Sequence, residues 1–221
     1  MEDWWRHKLF QPKNIEGEPV TEELSYIREL FNYVSEKEPR LKGIAVIGST
    51  LKGYSRQNGD KRSDIDIIEI CDDSTTTSPR GMITYDFLAK FHDAQKEFDI
   101  KREKEGLPNF KTEGVLKTDI NQLTPERIKN IEDLGTLWTI TGLVFPGAGD
   151  LETYRKIVRD EINKYPKEEK EKWLKSFINY LEAHFNSRQA LERGMIKKED
   201  EEDFLRKRKE LLNARVRRVF G

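Results

Sequence analysis

Asp64 and Asp66, in the run Ser63-Asp64-Ile65-Asp66, stand two residues apart. In extended chain, residues i and i+2 share a face. Both carboxylates therefore project together while Ile65 turns towards the core. Two carboxylates side by side repel, and each holds its proton more tightly unless a cation lies between them. Mg²⁺, or Mn²⁺ in its place, meets that need, because such hard ions take oxygen ligands and share them with phosphates. Upstream, Gly48-Ser49 closes a short apolar run. Glycine lets the backbone approach a phosphate closely, and a serine hydroxyl with the amides of a helix start can hold a triphosphate. Lys52 and Arg62 would balance charge on a leaving group. Asp119 is the candidate for a third carboxylate, which would complete a two-metal site; Glu113 is its rival. Glu69 stands three residues beyond Asp66, off the shared face, and is expected to be structural.

The elements that must position these groups are legible in outline. Thr21 is a good N-cap, with Glu22 and Glu23 in the first helical turn where the helix dipole favours negative charge. Leu24, Ile27, Phe31 and Val34 then fall on one helical face, and Pro39 closes the segment. Gly43 to Gly48 is predicted as a buried strand and Ile65 to Ile70 as a second. Residues 84–104 are predicted helical, with Phe87, Leu88, Phe91 and Phe98 inward. Val115 to Ile120 is expected as a third strand, a helix from about Pro125, and Gly142-Leu143-Val144-Phe145 as a short fourth strand. Beyond Gly149 only helical spacing remains: Leu151, Tyr154, Ile157 and Val158; Trp173, Leu174, Phe177, Ile178 and Leu181; Phe204, Leu205, Leu211 and Leu212. The expectation is an α/β domain over residues 1–149 with a mixed sheet, followed by an all-helical domain over residues 150–221.

Taken together, Gly48-Ser-Thr-Leu-Lys-Gly53 and Ser63-Asp-Ile-Asp-Ile67 resemble the motif of the DNA polymerase β-like nucleotidyltransferases, a Gly-Ser pair, a spacer and an Asp-x-Asp strand. Lys52-Gly53 resembles the basic residue and glycine that follow the pair in small members. Asp119, in VLKTDINQL, best matches the family's third carboxylate, and the helix and GLVFPG that follow resemble the order in kanamycin-type and minimal members. The resemblance spans roughly residues 20–149. It implies transfer of a nucleoside monophosphate from an NTP, ATP foremost, to an acceptor hydroxyl with release of pyrophosphate. It further implies that Asp64, Asp66 and Asp119 bind the metal and that Gly48, Ser49, Lys52 and Arg62 hold the triphosphate. The alternative is a non-catalytic nucleotide-binding or partner-binding module, antitoxin-like, that kept the fold. The acceptor is left open between a small molecule, a protein hydroxyl and an RNA end.

Composition narrows the remaining classes. Forty Lys+Arg against 41 Asp+Glu leave a net charge of −1, so bulk charge does not indicate a nucleic-acid binder. The local exception is the basic stretch RKRKELLNARVRR near the C-terminus, whose ordinary role is a solvated face. The single cysteine, Cys71, excludes an intramolecular disulfide and is expected to be a buried small hydrophobe. No apolar run reaches the roughly 20 residues of a membrane span, and nothing resembles a signal peptide, so the cytoplasm is the expected location. His92 and His184 belong to no metal-ligand motif and are expected to be structural, as are the aromatics Trp173, Phe177 and Tyr180.

Overall fold

A computed structural model describes residues 22–48, 64–72, 85–119, 123–131, 134–184 and 197–221. The chain runs α1 (Glu22–Lys37), β1 (Leu41–Val46), β2 (Ile65–Cys71), α2 (Tyr85–Lys104), β3 (Thr112–Asp119), α3 (Pro125–Lys129), α4 (Leu134–Val144), β4 (Gly147–Gly149), α5 (Leu151–Ile162), α6 (Lys167–His184) and α7 (Glu201–Phe220), the last preceded by a 3₁₀ turn at Lys198–Asp200. The four strands form one mixed sheet in the order β3-β2-β1-β4. β1 pairs antiparallel with both β2 and β4, and β2 pairs parallel with β3.

β2 is central, and its sequence suits that place. Ile65, Ile67, Ile68 and Ile70 are all buried, on both faces, as expected of a strand covered on two sides. One face meets α1 and α2, where Tyr26 of α1 packs between Phe98 and Phe110 and donates its hydroxyl to Asp99 Oδ1 at 2.8 Å. The other face meets α4. There Gly142 permits close approach, since a Cβ at that position would lie 2.8 Å from Ala45 Cβ.

The corner between α1 and β1 is held by Glu38, which is buried. Its carboxylate accepts from Arg40 Nε at 2.7 Å and Nη2 at 2.6 Å, and from the Arg40 backbone N–H at 3.1 Å. Arg40 also reaches Asp86 Oδ2 at 2.8 Å, so one guanidinium ties α1 to the start of α2. The Arg40 hydrogen bonds hold the Glu38 carboxyl below its ordinary value. Its stabilisation is therefore complete above the ordinary glutamate pKa of about 4.3 and is lost as pH falls through the lowered native value. Glu38→Gln should cost about 1–3 kcal/mol at neutral pH. The cost should shrink as acid denaturation curves are taken from about pH 5 to pH 3. A constant difference across that window would show that the ion pair contributes nothing.

Two expectations need correction. Gly142, Leu143 and Val144 are the last turn of α4, not a strand, and Phe145 follows as a bend. The run from Thr136 to Val144 is buried almost all round because α4 lies between the sheet and the C-terminal helices, and a helix apolar on every side has the local composition of a buried strand. The fourth strand is the Gly147-Ala148-Gly149 run just beyond it. The helix expected from about Pro125 is two helices, α3 and α4.

The C-terminal helices pack directly onto α4. The carbonyls at its end, which have no partner within the helix, accept from arginines of two other helices. Arg155 Nε donates to Leu143 O at 2.8 Å, and Arg215 Nε to Val144 O at 2.8 Å. One cluster of buried residues extends from Leu24 in α1 to Phe220 in α7. Asp150, directly after β4, caps α5 by accepting from the Thr153 N–H. No helix among the described residues is long and apolar enough to cross a membrane.

Candidate active site

The site forms where β1 ends beside the start of β2. Ile47 N donates to Asp66 O at 2.9 Å, extending the β1–β2 ladder past Val46. The next residue, Gly48, has φ +70°, a conformation that strongly favours glycine. A Cβ at Gly48 would lie 1.7 Å from Asp66 Oδ2, so the Asp66 carboxylate rests against the Gly48 backbone. Gly48 is thus required twice, for its backbone angle and for the carboxylate beside it.

Asp64 and Asp66 alternate with the buried Ile65 and Ile67 and are themselves partly exposed. They share the face that meets α4, as the two-residue spacing predicts. Lys111, immediately before β3, places Nζ 2.5 Å from Asp64 Oδ2. That hydrogen bond, reinforced by the Asp64 charge and by Glu113, raises the lysine pKa above its ordinary value. The Asp64 charge is balanced by an exposed lysine side chain.

The register of β3 places the two candidates for a third carboxylate at different heights along β2. Glu113 is the partner of Asp66, whereas Asp119 is the partner of Cys71. Cys71 lies five positions along β2 from Asp66, which at the rise of a strand is roughly 16 Å. The backbone of Asp119 thus lies beside Cys71, at the far end of β2 from Asp66. Thr112, the neighbour of Glu113, bonds to Gln95 of α2 on the opposite face, so Glu113 turns to the Asp66 side of the sheet. Glu69 lies on the α1/α2 face and is fully buried. Cys71 is a buried free thiol. Ser49, Lys52 and Arg62 lie outside the described residues.

Beside this acidic edge is a cavity of about 200 Å³ lined by Ile47, Gly48, Asp66, Trp138, Thr141, Tyr180 and His184. Two larger surface grooves, of about 500 and 660 Å³, contain neither Gly48 nor Asp66. Sequence spacing did not single out Trp138 or Thr141, and it placed Tyr180 and His184 among structural residues. The helical spacing of Phe177, Tyr180 and His184 was visible; which of those rings leaves the core was not. Trp173 and Phe177 are buried as expected. In the basic C-terminal stretch, Arg208 is buried, Arg215 bonds to α4 and Arg217 pairs with Glu171 at 2.8 Å. Part of its charge thus has structural partners.

Among the described residues no group of three or more His, Cys, Asp or Glu side chains is placed to hold a metal ion unaided. Mg²⁺ ordinarily takes one or two protein carboxylates and completes its shell with phosphate and water oxygens. Asp64 and Asp66 would supply those carboxylates and form no all-protein cage. No family model matches this chain, and neither a curated protein nor a solved structure matches it.

Proposed function

We propose that this chain is a metal-dependent nucleotidyltransferase, moving a nucleoside monophosphate from an NTP, ATP foremost, to an acceptor hydroxyl with release of pyrophosphate. The observation that carries this is the contact between the positive-φ Gly48 and the Asp66 carboxylate, with Asp64 and Glu113 on the same face. A glycine that closes a strand against one of a pair of strand carboxylates brings a bare backbone segment and a cation-binding edge together, as metal-bound triphosphate chemistry requires.

In this proposal Asp64 and Asp66 hold the cation. When bound, it neutralises charge on the phosphates and makes the acceptor hydroxyl easier to deprotonate. Gly48 leaves its backbone open to the triphosphate, which Ser49, Lys52 and Arg62 also hold. Glu113 takes the place given to Asp119 by sequence alone and accepts the acceptor hydroxyl proton. The new bond joins the acceptor oxygen to the α-phosphorus, and the bond from that phosphorus to pyrophosphate breaks. Lys111 holds the Asp64 carboxylate in position until the triphosphate arrives.

The test is incubation of the protein with α-labelled ATP, GTP, CTP and UTP, Mg²⁺ and cell extract. The expected result is label on a discrete acceptor with one pyrophosphate released per transfer. A second reading, the non-catalytic nucleotide- or partner-binding module, is favoured by the Lys111–Asp64 pair, which neutralises one carboxylate without any cation. Saturable ATP binding with no pyrophosphate released against any acceptor would support that module and remove the enzyme.

A further inference from the structure

The wall of the cavity beside Asp66 is a ladder of rings. Phe177, Tyr180 and His184 fall at i, i+3 and i+7 of α6, one face of the helix. Phe177 and Tyr180 are stacked with their planes 14° apart and centroids 6.4 Å apart; Tyr180 and His184 are stacked at 12° and 5.9 Å. The ladder begins in the core at Phe177 and ends at His184, so its last two rings line the cavity. Trp138 of α4 faces Tyr180 across the gap; burial raises the pKa of the Tyr180 hydroxyl and the nearby indole N–H opposes that rise. The remaining lining adds Ile47 and Thr141, with a single carboxylate, Asp66, at one end.

Such a space selects its occupant by shape and by polarity. At about 200 Å³ it is smaller than the roughly 300–1,000 Å³ of pockets for drug-sized ligands. It has room for one single or fused planar ring and not for an oligosaccharide such as an aminoglycoside. Its aromatic wall favours a flat π-face, and ring orientation is settled before binding, so little is lost in ordering it. The carboxylate at one end disfavours an anionic group there unless a cation lies between them.

We propose that this cavity is a nucleobase site, in which Tyr180 and His184 stack on the base and Asp66 marks the end where base and phosphate chemistry meet. It deepens the nucleotidyl-transfer proposal and rests on it for the identity of the ring. The ring belongs either to the donor nucleotide or to a nucleoside-type acceptor.

Isothermal titration of the full chain with adenosine, guanosine, cytidine and uridine, without metal, tests the site apart from the reaction. At least one nucleoside should bind saturably. Tyr180→Ala and His184→Ala should each weaken it by roughly tenfold or more, the range of a lost base–aromatic stack. Tyr180→Phe, which keeps the ring, should bind within about twofold of the parent, and thermal melts of all three establish that they fold. Mg²⁺-tripolyphosphate, titrated separately, should bind these variants like the parent. Repeating the nucleoside titration with NTP present assigns the ring: competition places it on the donor, simultaneous binding on the acceptor, and either supports the site. Absence of nucleoside binding, or equal affinity in Tyr180→Ala, His184→Ala and the parent, overturns it. Nucleoside binding that survives with no Mg²⁺-tripolyphosphate binding would instead remove the transferase and leave a ring-binding cavity.

Discussion

Gly48→Ala is expected to eliminate transfer and to lower the melting temperature by several degrees. Two costs combine at this position. A residue with a Cβ at φ +70° pays about 1–2 kcal/mol for the left-handed backbone. The added methyl would also lie 1.7 Å from Asp66 Oδ2 and 2.6 Å from its Cγ, so the carboxylate must leave its rotamer at a further cost of about 0.5–1.5 kcal/mol. For a chain of this size each kcal/mol lost lowers the melting temperature by roughly 2–4 °C. Gly106 supplies the control. It has nearly the same φ, +71°, but a Cβ there meets nothing within 4 Å. Gly106→Ala should show the backbone cost alone and keep full activity. The comparison, melts followed by circular dichroism alongside a pyrophosphate-release assay, separates strain from displacement of Asp66. Equal melting shifts in the two variants would mean that the Gly48–Asp66 contact carries no weight.

The carboxylates should divide sharply by position. Asp64→Asn and Asp66→Asn are each expected to reduce transfer by about a hundred- to a thousandfold, the cost of losing one preorganised electrostatic contact to the reacting centre. Both variants should remain folded. Asp64 is partly exposed and its ion pair is with the exposed Lys111, and substitutions at such sites change stability by about 0.5 kcal/mol or less. Glu113→Gln should fall with them, whereas Asp119→Asn should retain parental rates because its backbone lies beside Cys71. Initial rates of pyrophosphate release across the four variants decide the matter. Activity in Asp64→Asn would end the proposed cation site; loss in Asp119→Asn with retention in Glu113→Gln would return the third role to Asp119.

What could be read beforehand was whatever is local. The Asp64–Asp66 spacing implies a shared face with no knowledge of the fold, and Gly48 after an apolar β-branched run marks a strand end. The alternation of partly exposed aspartates with buried isoleucines follows from the same two-residue period. Register between strands has no local signal. β3 starts at Thr112, but Thr112-Glu113-Gly114 is polar and contains a glycine, so the apolar residues from Val115 seemed to be the beginning. The earlier start, by three residues, brings Glu113 into register with Asp66. Layering misled in the other direction at α4: a helix wrapped by sheet and helices has no polar face, and so its end carried no helical signature. Tyr180 and His184 were hidden by ambiguity, because the spacing that makes Phe177 a core residue also continues to the cavity.

The Gly147-Ala148-Gly149 strand has a consequence for how such a chain could diversify. Its Gly147 stands where a Cβ would lie 2.3 Å from Ile44 O, and only Asp150 separates the end of the strand at Gly149 from α5. The passage from sheet to C-terminal helices therefore contains no slack, and those helices share α4 with the strands that carry the acidic edge. A foreign helical cassette grafted after residue 149 would meet α4 and the sheet with no linker to absorb a misfit. Change in this part of the molecule is expected to come by point substitutions along α4 and α6, each accepted only if the common interior still closes.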